Sequence, residues 1–354
     1  MKTIETLRNL ANHIHMAHLD QIGAAFMRYE PEPEPVEEAV EEAIEEAAAQ
    51  AVAPEIELTA SAFVREAIAN VFGRMWAQIE AKNAETGKPI LNSKTRAKLR
   101  VLRPILEAID AGRPLTIAEE IAALRCLHVS ENMTAKLADV NALSTACSVN
   151  PTCQARAKDC RSICAHCFAF LTFERYNDLE QAAIINFIVL NAALYSVEAW
   201  AAVNIPPSAA FDLFRIEAFG DVASAIQCAN YIRLAETHRY LQRVGVWSKN
   251  LGFWASAFEV MDKPTNMIFN ASSPVLNKAM VIPDRFAWFV DHVFTVYDAA
   301  SAVASGVDIN CGDRICANCK RCYTADNERA VNEILKQEAK RYYKAIGKEY
   351  TGRR

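Results

Sequence analysis

The sequence predicts an α/β protein built on a parallel βα array, partly or fully closed into a barrel. Three observations lead there. The chain has 354 residues, 52% of them hydrophobic, with 11 Gly and 13 Pro. That balance supplies a sizeable core and excludes collagen-like and low-complexity chains. After Leu137, apolar runs of strand length alternate with helix-length segments. Polar residues also collect directly after each apolar run, as they do where parallel strands end at a functional face.

Taken in order, residues 1–28 predict an amphipathic helix, with Ile4, Leu7, Ala11, Ile14, Ile22 and Phe26 at helical spacing. His13, His15 and His18 are read as solvated or packing residues, because His13 and His15 point to different sides of such a helix. Residues 29–57 form an acidic Pro/Glu/Ala linker. This stretch holds eleven Glu and no Lys or Arg, so a chain of net charge −5 carries +6 outside it. Residues 58–130 predict a helical region, with helices near 59–82, 93–111 and 116–128. Thr116 and Glu119 fit a capping box, and Gly112 with Pro114 marks the break before it. Lys88, Lys94, Arg96, Lys98, Arg100 and Arg103 form a basic stretch with no interleaved aromatic residue, read first as a solvated face.

Residues 131–327 predict the βα domain. Its strands are expected at 137–143, 213–217, 244–248, 267–271 and 293–297, and its helices at 174–200, 221–241, 251–262 and 284–291. Residues 328–354 are read as a basic C-terminal helix and tail. The uncharged run from Gln181 to Val197 is shorter than the roughly 20 residues that span a bilayer and contains Asn186 and Asn191, so a buried helix is expected and no membrane partner. The first twenty residues contain no apolar signal core and no small-residue cleavage site, which predicts a cytoplasmic location.

The cysteines are the informative feature. In a reducing compartment a cysteine cluster reads as a metal-site candidate and not as a disulfide framework. Cys147, Cys153, Cys160, Cys164 and Cys167 lie in one short stretch, the last three spaced C-x3-C-x2-C. Cys311, Cys316, Cys319 and Cys322 form a second set spaced C-x4-C-x2-C-x2-C. Cys126 and Cys228 lie alone in helical segments and are read as packing residues. Thiolates suit zinc and iron–sulfur clusters alike. The C-x2-C-x2-C run favours a [4Fe–4S] cluster, since it matches three corners of the bacterial ferredoxin run, and Cys311 is then the fourth ligand.

The spacing of Cys160, Cys164 and Cys167 after the first strand, with His166 before the last cysteine, resembles the signature of the radical S-adenosylmethionine enzymes. The resemblance implies three thiolates on a [4Fe–4S] cluster and one iron left for S-adenosylmethionine. The family's Gly-Gly-Glu element is replaced by Arg215-Ile-Glu-Ala-Phe-Gly-Asp221. A second resemblance covers residues 137–323. The blocks CSVNPTCQ, ICAHCFAF, ERYND, FRIEAFGD, VWSKN, PTNMIFNASSPVLN, VFTVYDA and NCGDRICANCKRCYT, in that order, are similar to a phage- and plasmid-associated group close to the phage "gene product eighty-eight" family. This implies a cysteine-rich α/β protein of mobile elements, and it groups Cys153 with Cys164 and Cys167, in competition with the grouping that includes Cys160.

The functional expectation is an intracellular iron–sulfur protein, a radical or redox enzyme if it is an enzyme at all. Glu217, Asp221 and Lys249 are the catalytic candidates, and Arg215 and Ser272 the cofactor-binding ones, because all stand at expected strand ends. No nucleophile–base pair, phosphate-cradling Gly-rich loop or HExxH motif supports a hydrolase or kinase. The rival expectation is a zinc-stabilised protein that meets nucleic acid through its basic N-terminal helices or tail during replication of a mobile element.

Overall fold

The structure is a computed structural model and describes residues 61–131, 135–209, 213–312, 314–325 and 330–350. The predicted helix over 1–28 and the linker over 29–57 lie outside the described residues.

Three N-capped helices come first. α1 (Ala62–Ala77) starts at Ser61, whose hydroxyl accepts from the Val64 N–H, and it buries Val64, Ile68, Val71 and Met75, one apolar stripe. α2 (Ser93–Asp110) is capped by Asn92 and buries Leu99, Leu102 and Ile105. α3 (Ile117–Leu124) carries the expected capping box of Thr116 and Glu119.

β1 (Val129–Ser130) pairs antiparallel with β2 (Asn141–Leu143). The remaining strands are β3 (Leu213–Ile216), β4 (Arg243–Ser248), β5 (Met267–Ser272), β6 (His292–Tyr297) and β7 (Ala330–Ile334), each parallel to the one before it. Strand order in the seven-stranded sheet equals chain order, with β1 and β7 at its edges. The fold is therefore mixed α/β on a mostly parallel sheet, and the sheet is open: the closed form of the expected barrel is not what forms.

Because every parallel crossover steps in the same direction, a constant crossover hand puts the connecting helices on one face. The register agrees. Phe214, Ile216, Val244, Val246, Met267 and Phe269 point into one large core with the helices. The alternate residues Leu213 and Trp247 face away from it and pack with Val140 and Tyr323 in a separate small core.

α4 (Pro151–Ala157), α5 (Phe168–Arg175), α6 (Asn177–Ala192) and α7 (Val197–Ala201) lie between β2 and β3. The single helix expected over 174–200 is thus three, broken where Tyr176 and Ala193 leave helical geometry. α6 is buried on all sides, and the two asparagines in its apolar run tie it down. Asn186 Nδ2 donates to the carbonyls of His128 and Ser144, each at 2.8 Å, and Asn191 Nδ2 donates to Gln227 Oε1 at 3.1 Å. α8 (Ala225–Thr237), α9 (Leu251–Phe258), α10 (Asp284–Ala287) and α11 (Ala299–Ser305) follow β3 to β6 in turn.

Other differences from expectation have local causes. The strand read over 137–143 shortens to β2 because Ala135–Leu137 forms a 3₁₀ turn and Asp139 takes a positive φ of 65°. The segment read as a C-terminal helix and tail opens with β7, which completes the sheet, and only Ala339–Ala345 is helical after it. Among the described residues no helix is long and apolar enough to cross a membrane.

Candidate functional site

The C-terminal strand ends carry the first cysteine group. Cys147 follows β2. Cys153 sits in α4, whose cap Asn150 accepts from the N–H groups of Thr152 and Cys153 and donates to the Asp221 carbonyl at 2.6 Å. Cys164 lies in a 3₁₀ turn, Ile163–His166, capped by Ser162. The hydroxyl of Ser162 and the N–H of Ile163 both bond the Pro274 carbonyl beyond β5, which stitches the cysteine loop to the sheet. Cys167 is the N-cap residue of α5.

Cys147 and Cys167 lie close enough for their thiols to interact. That interaction, together with the N–H groups of Ala169 and Phe170, lowers the Cys167 thiol, and the same interaction and burial push the Cys147 thiol far up. Cys153 lies close enough to Cys164 for their charges to interact. Cys160 is exposed and is not among these neighbours. Spacing groups Cys160 with Cys164 and Cys167, and the resemblance groups Cys153 with them; in the structure Cys153 lies near Cys164, Cys164 and Cys167 share the cleft wall, and Cys160 is exposed.

The second cysteine loop crosses the face of the sheet that bears no helices. α12 (Cys316–Cys319) and a 3₁₀ turn at Arg321–Tyr323 carry three of its thiols. Asn270 Nδ2 donates to the Cys322 carbonyl at 3.1 Å, and His292 Nε2 meets the Thr324 carbonyl at 2.9 Å. Gly245 on β4 makes room for the Tyr323 ring: a Cβ there would stand 2.6 Å from Tyr323 Cε1. Cys311 runs beside β7, and Lys136 Nζ donates to Cys311 Sγ at 2.9 Å and to Glu333 Oε1 at 2.7 Å. Burial pushes the Cys311 thiol up to about 11 against the pull of Lys136.

Between the two loops lies a cleft of about 1430 Å³, counting the part open to solvent. Cys164 and Cys167 line one side, and Cys311, Cys316, Cys319 and Cys322 the other. Its floor is the helix-free face of the sheet, including Arg215, Trp247, Ser272 and Glu333. Seven cationic side chains reach it, Lys136, Arg215, Lys249, Arg314, Lys320, Arg321 and Lys336, against the two acids Glu217 and Glu333.

The sequence-predicted polar candidates divide. Glu217, at φ 58°, turns its buried carboxyl inward. There it accepts from the Thr145 N–H (3.1 Å), the Thr145 hydroxyl (2.9 Å), Gln227 Nε2 (2.7 Å) and the Tyr231 hydroxyl (2.7 Å). Burial pushes it up to about 8, against the Thr145 and Tyr231 donors. Asp221 is 1% exposed and accepts from the Ser248 hydroxyl at 2.7 Å and the Lys249 N–H at 3.0 Å, with Arg156 at 3.5 Å. Gly220 lets this loop close on β2, since a Cβ there would be 2.5 Å from the Thr145 carbonyl oxygen at a φ of 75°. Both acids thus brace the loops instead of facing the cleft as free groups.

Lys249 is different. Burial works against its charge, but Cys164, Asp221 and Cys153 beside it more than offset that, so its pKa is raised. Arg215 lies over the Trp247 ring, 3.8 Å from its centroid, and Ser272 ends β5 on the same side.

Sequence reasoning missed Trp247, which its alternation with Gly245 and Lys249 on an expected strand marks as facing the cleft. It also missed the Lys136–Cys311–Glu333 contact, for which residues so far apart give no local signal. In the basic stretch, Arg100 pairs with Glu80 at 2.6 Å and Arg103 with Glu107 at 2.8 Å while covering Trp76, so those two charges are engaged within the protein. Among the described residues no three Cys, His, Asp or Glu side chains form a group that could hold a metal ion as they stand. Compared with family models, curated proteins and solved structures, the chain matches none.

Proposed function

We propose that the chain is an iron–sulfur redox protein whose chemistry takes place in the cleft. Cys153, Cys164 and Cys167 hold one cluster there, and Cys311, Cys316, Cys319 and Cys322 hold the other. The observation that carries this reading is the convergence of Cys164 and Cys167 from one loop and Cys311, Cys316, Cys319 and Cys322 from another, far apart in sequence, on one cleft. The donor set fits: all the candidate ligands are thiols, and cationic side chains surround them to balance the charge of thiolate-bound iron. The thiols are neighbours and not yet a closed shell, so loading requires the short turns that carry them to tighten.

The chain's own residues do the rest. Cys147 is 1% exposed and does not line the cleft, so it stays outside the first ligand set. Three thiolates leave one iron position open, whereas four occupy every corner. The first group would therefore be the reactive one and the second would transfer electrons or steady the fold; S-adenosylmethionine would be the cofactor class at the first group, with Lys249 beside Cys153 and Cys164 to bind it. When bound, the clusters supply one-electron transfer.

Anaerobic reconstitution of the full chain with iron and sulfide tests this. About four to eight irons are expected, with broad absorption near ~400 nm. Cys164→Ala removes the first cluster's share and Cys319→Ala the second's, while Cys160→Ala and Cys147→Ala leave the iron content within about 20% of wild type if three thiolates suffice. Stoichiometric zinc in a colourless protein after native anaerobic purification overturns the reading. It would favour closed structural zinc sites in a binding protein.

A further inference from the structure

The cleft has a sign. Its two acids are both occupied, Glu217 by four donors and Glu333 by Lys136. Among its seven cationic side chains, two on neighbouring parallel strands lack a carboxylate partner among the described residues. Lys249 donates its backbone N–H to Asp221 at 3.0 Å, and no acceptor among the described residues bonds its Nζ. Arg215 stacks over Trp247 with its Nε buried and without a hydrogen-bond partner. The register sets Arg215 opposite Gly245 on the face that bears Trp247, and Lys249, the residue after β4, lines the same cleft.

Lys249 keeps its charge beside Asp221, and Arg215 has only the neutral Tyr323 hydroxyl beside its guanidinium, so both can still give an oxyanion charge-assisted hydrogen bonds in a cleft where cations outnumber acids. The planar guanidinium, held by the tryptophan face, presents its donors in the fork that suits carboxylate and phosphate oxygens.

We infer that the cleft binds a small oxyanion-bearing molecule, a phosphate ester or a carboxylic acid of metabolite size, with Lys249 and Arg215 as its anchors. The inference rests on the proposed function only in sharing its cleft. Lys249 lies beside Cys153 and Cys164, so thiolate-bound iron draws on part of its charge, and the anion site is strongest in the metal-free protein.

The test is calorimetric titration of the full chain with inorganic pyrophosphate and, in a second arm, with malonate, on metal-free and iron-loaded samples whose iron content is measured in parallel. Binding is expected for at least one of the two probes. Tighter binding of pyrophosphate identifies a phosphorylated ligand, and tighter binding of malonate a carboxylated one. Lys249→Met and Arg215→Met each weaken the favoured probe at least about tenfold, equivalent to ~1.4 kcal/mol. Lys249→Arg retains it within about threefold, and Lys94→Met on α2, away from the cleft lining, leaves it unchanged. No binding of either probe by wild type at 10 mM, or equal binding by Lys249→Met in a variant of native thermal stability, overturns the inference. A chain that loads iron but binds neither probe refutes the anion site alone. One that binds the probes through Lys249 but takes up only zinc refutes the iron–sulfur reading alone.

Discussion

The two cysteine groups differ in what holds them. The first is part of the main core: Cys147, Cys153 and Cys164 are buried, and Cys147 and Cys153 pack with the residues that join the sheet to its helices. The second stands half-buried on a loop laid over the opposite face, seated by Tyr323 in the gap at Gly245 and by a small cluster around Val140, Leu213 and Trp247. The first group is therefore expected to follow global unfolding, whereas the second is expected to open as an attached cover while the sheet persists. A stability measured for the whole chain reports on the first group and underestimates the mobility of the second.

The largest effect expected contrasts two tryptophans. Trp254 is fully buried on the helix side, with ring centroids 5.3 Å from Phe269 and 6.3 Å from Tyr231. Trp254→Ala should cost about 3–5 kcal/mol and expose both cysteine groups to alkylation together, because it empties the shared core. Trp247→Ala, on the other face, should speed alkylation of Cys322 and leave that of Cys153 nearly unchanged. Equal acceleration at both cysteines in Trp247→Ala breaks the comparison.

Gly245→Ala is expected to cost about 1–3 kcal/mol through overpacking against Tyr323. Denaturant unfolding gives the cost, and faster alkylation of Cys322 than of Cys153 places it on the cover. A variant as stable as wild type means that Tyr323 does not seat there. The smallest effect concerns the first group. Ser162→Ala removes the cap of the turn that carries Cys164 and the bond to Pro274, at a cost of ~1 kcal/mol. It should raise the alkylation rate of Cys164 and leave Cys319 unaffected, and a matching rise at Cys319 shows the two loops to be coupled.

Much of this arrangement was legible in order along the chain. The strands β3 to β6 fall within one residue of the apolar runs that predict them, since a strand buried on both faces reads as a continuous hydrophobic run. The capping box at Thr116 and the buried α6 are equally local. β7 was not legible: Ala330-Val-Asn-Glu-Ile334 is an edge strand with two polar positions in a charged segment, and only pairing with β6 makes it a strand.

By itself the sequence determined that two compact sets of cysteines stand apart from the sheet's strands, the first directly after a strand, because hydrophobic period and turn residues act over a few positions. Only the tertiary structure decided that the strands form an open sheet and that Cys160 stands apart while Cys147 joins Cys167. It likewise decided that Glu217 and Asp221 are consumed in bracing loops while Lys249 keeps its ammonium for the cleft. These outcomes depend on which partners the fold brings within hydrogen-bonding reach, and a carboxylate's neighbours in space are not its neighbours in sequence. Spacing names the groups capable of chemistry; burial and hydrogen-bond satisfaction select the ones left free to perform it.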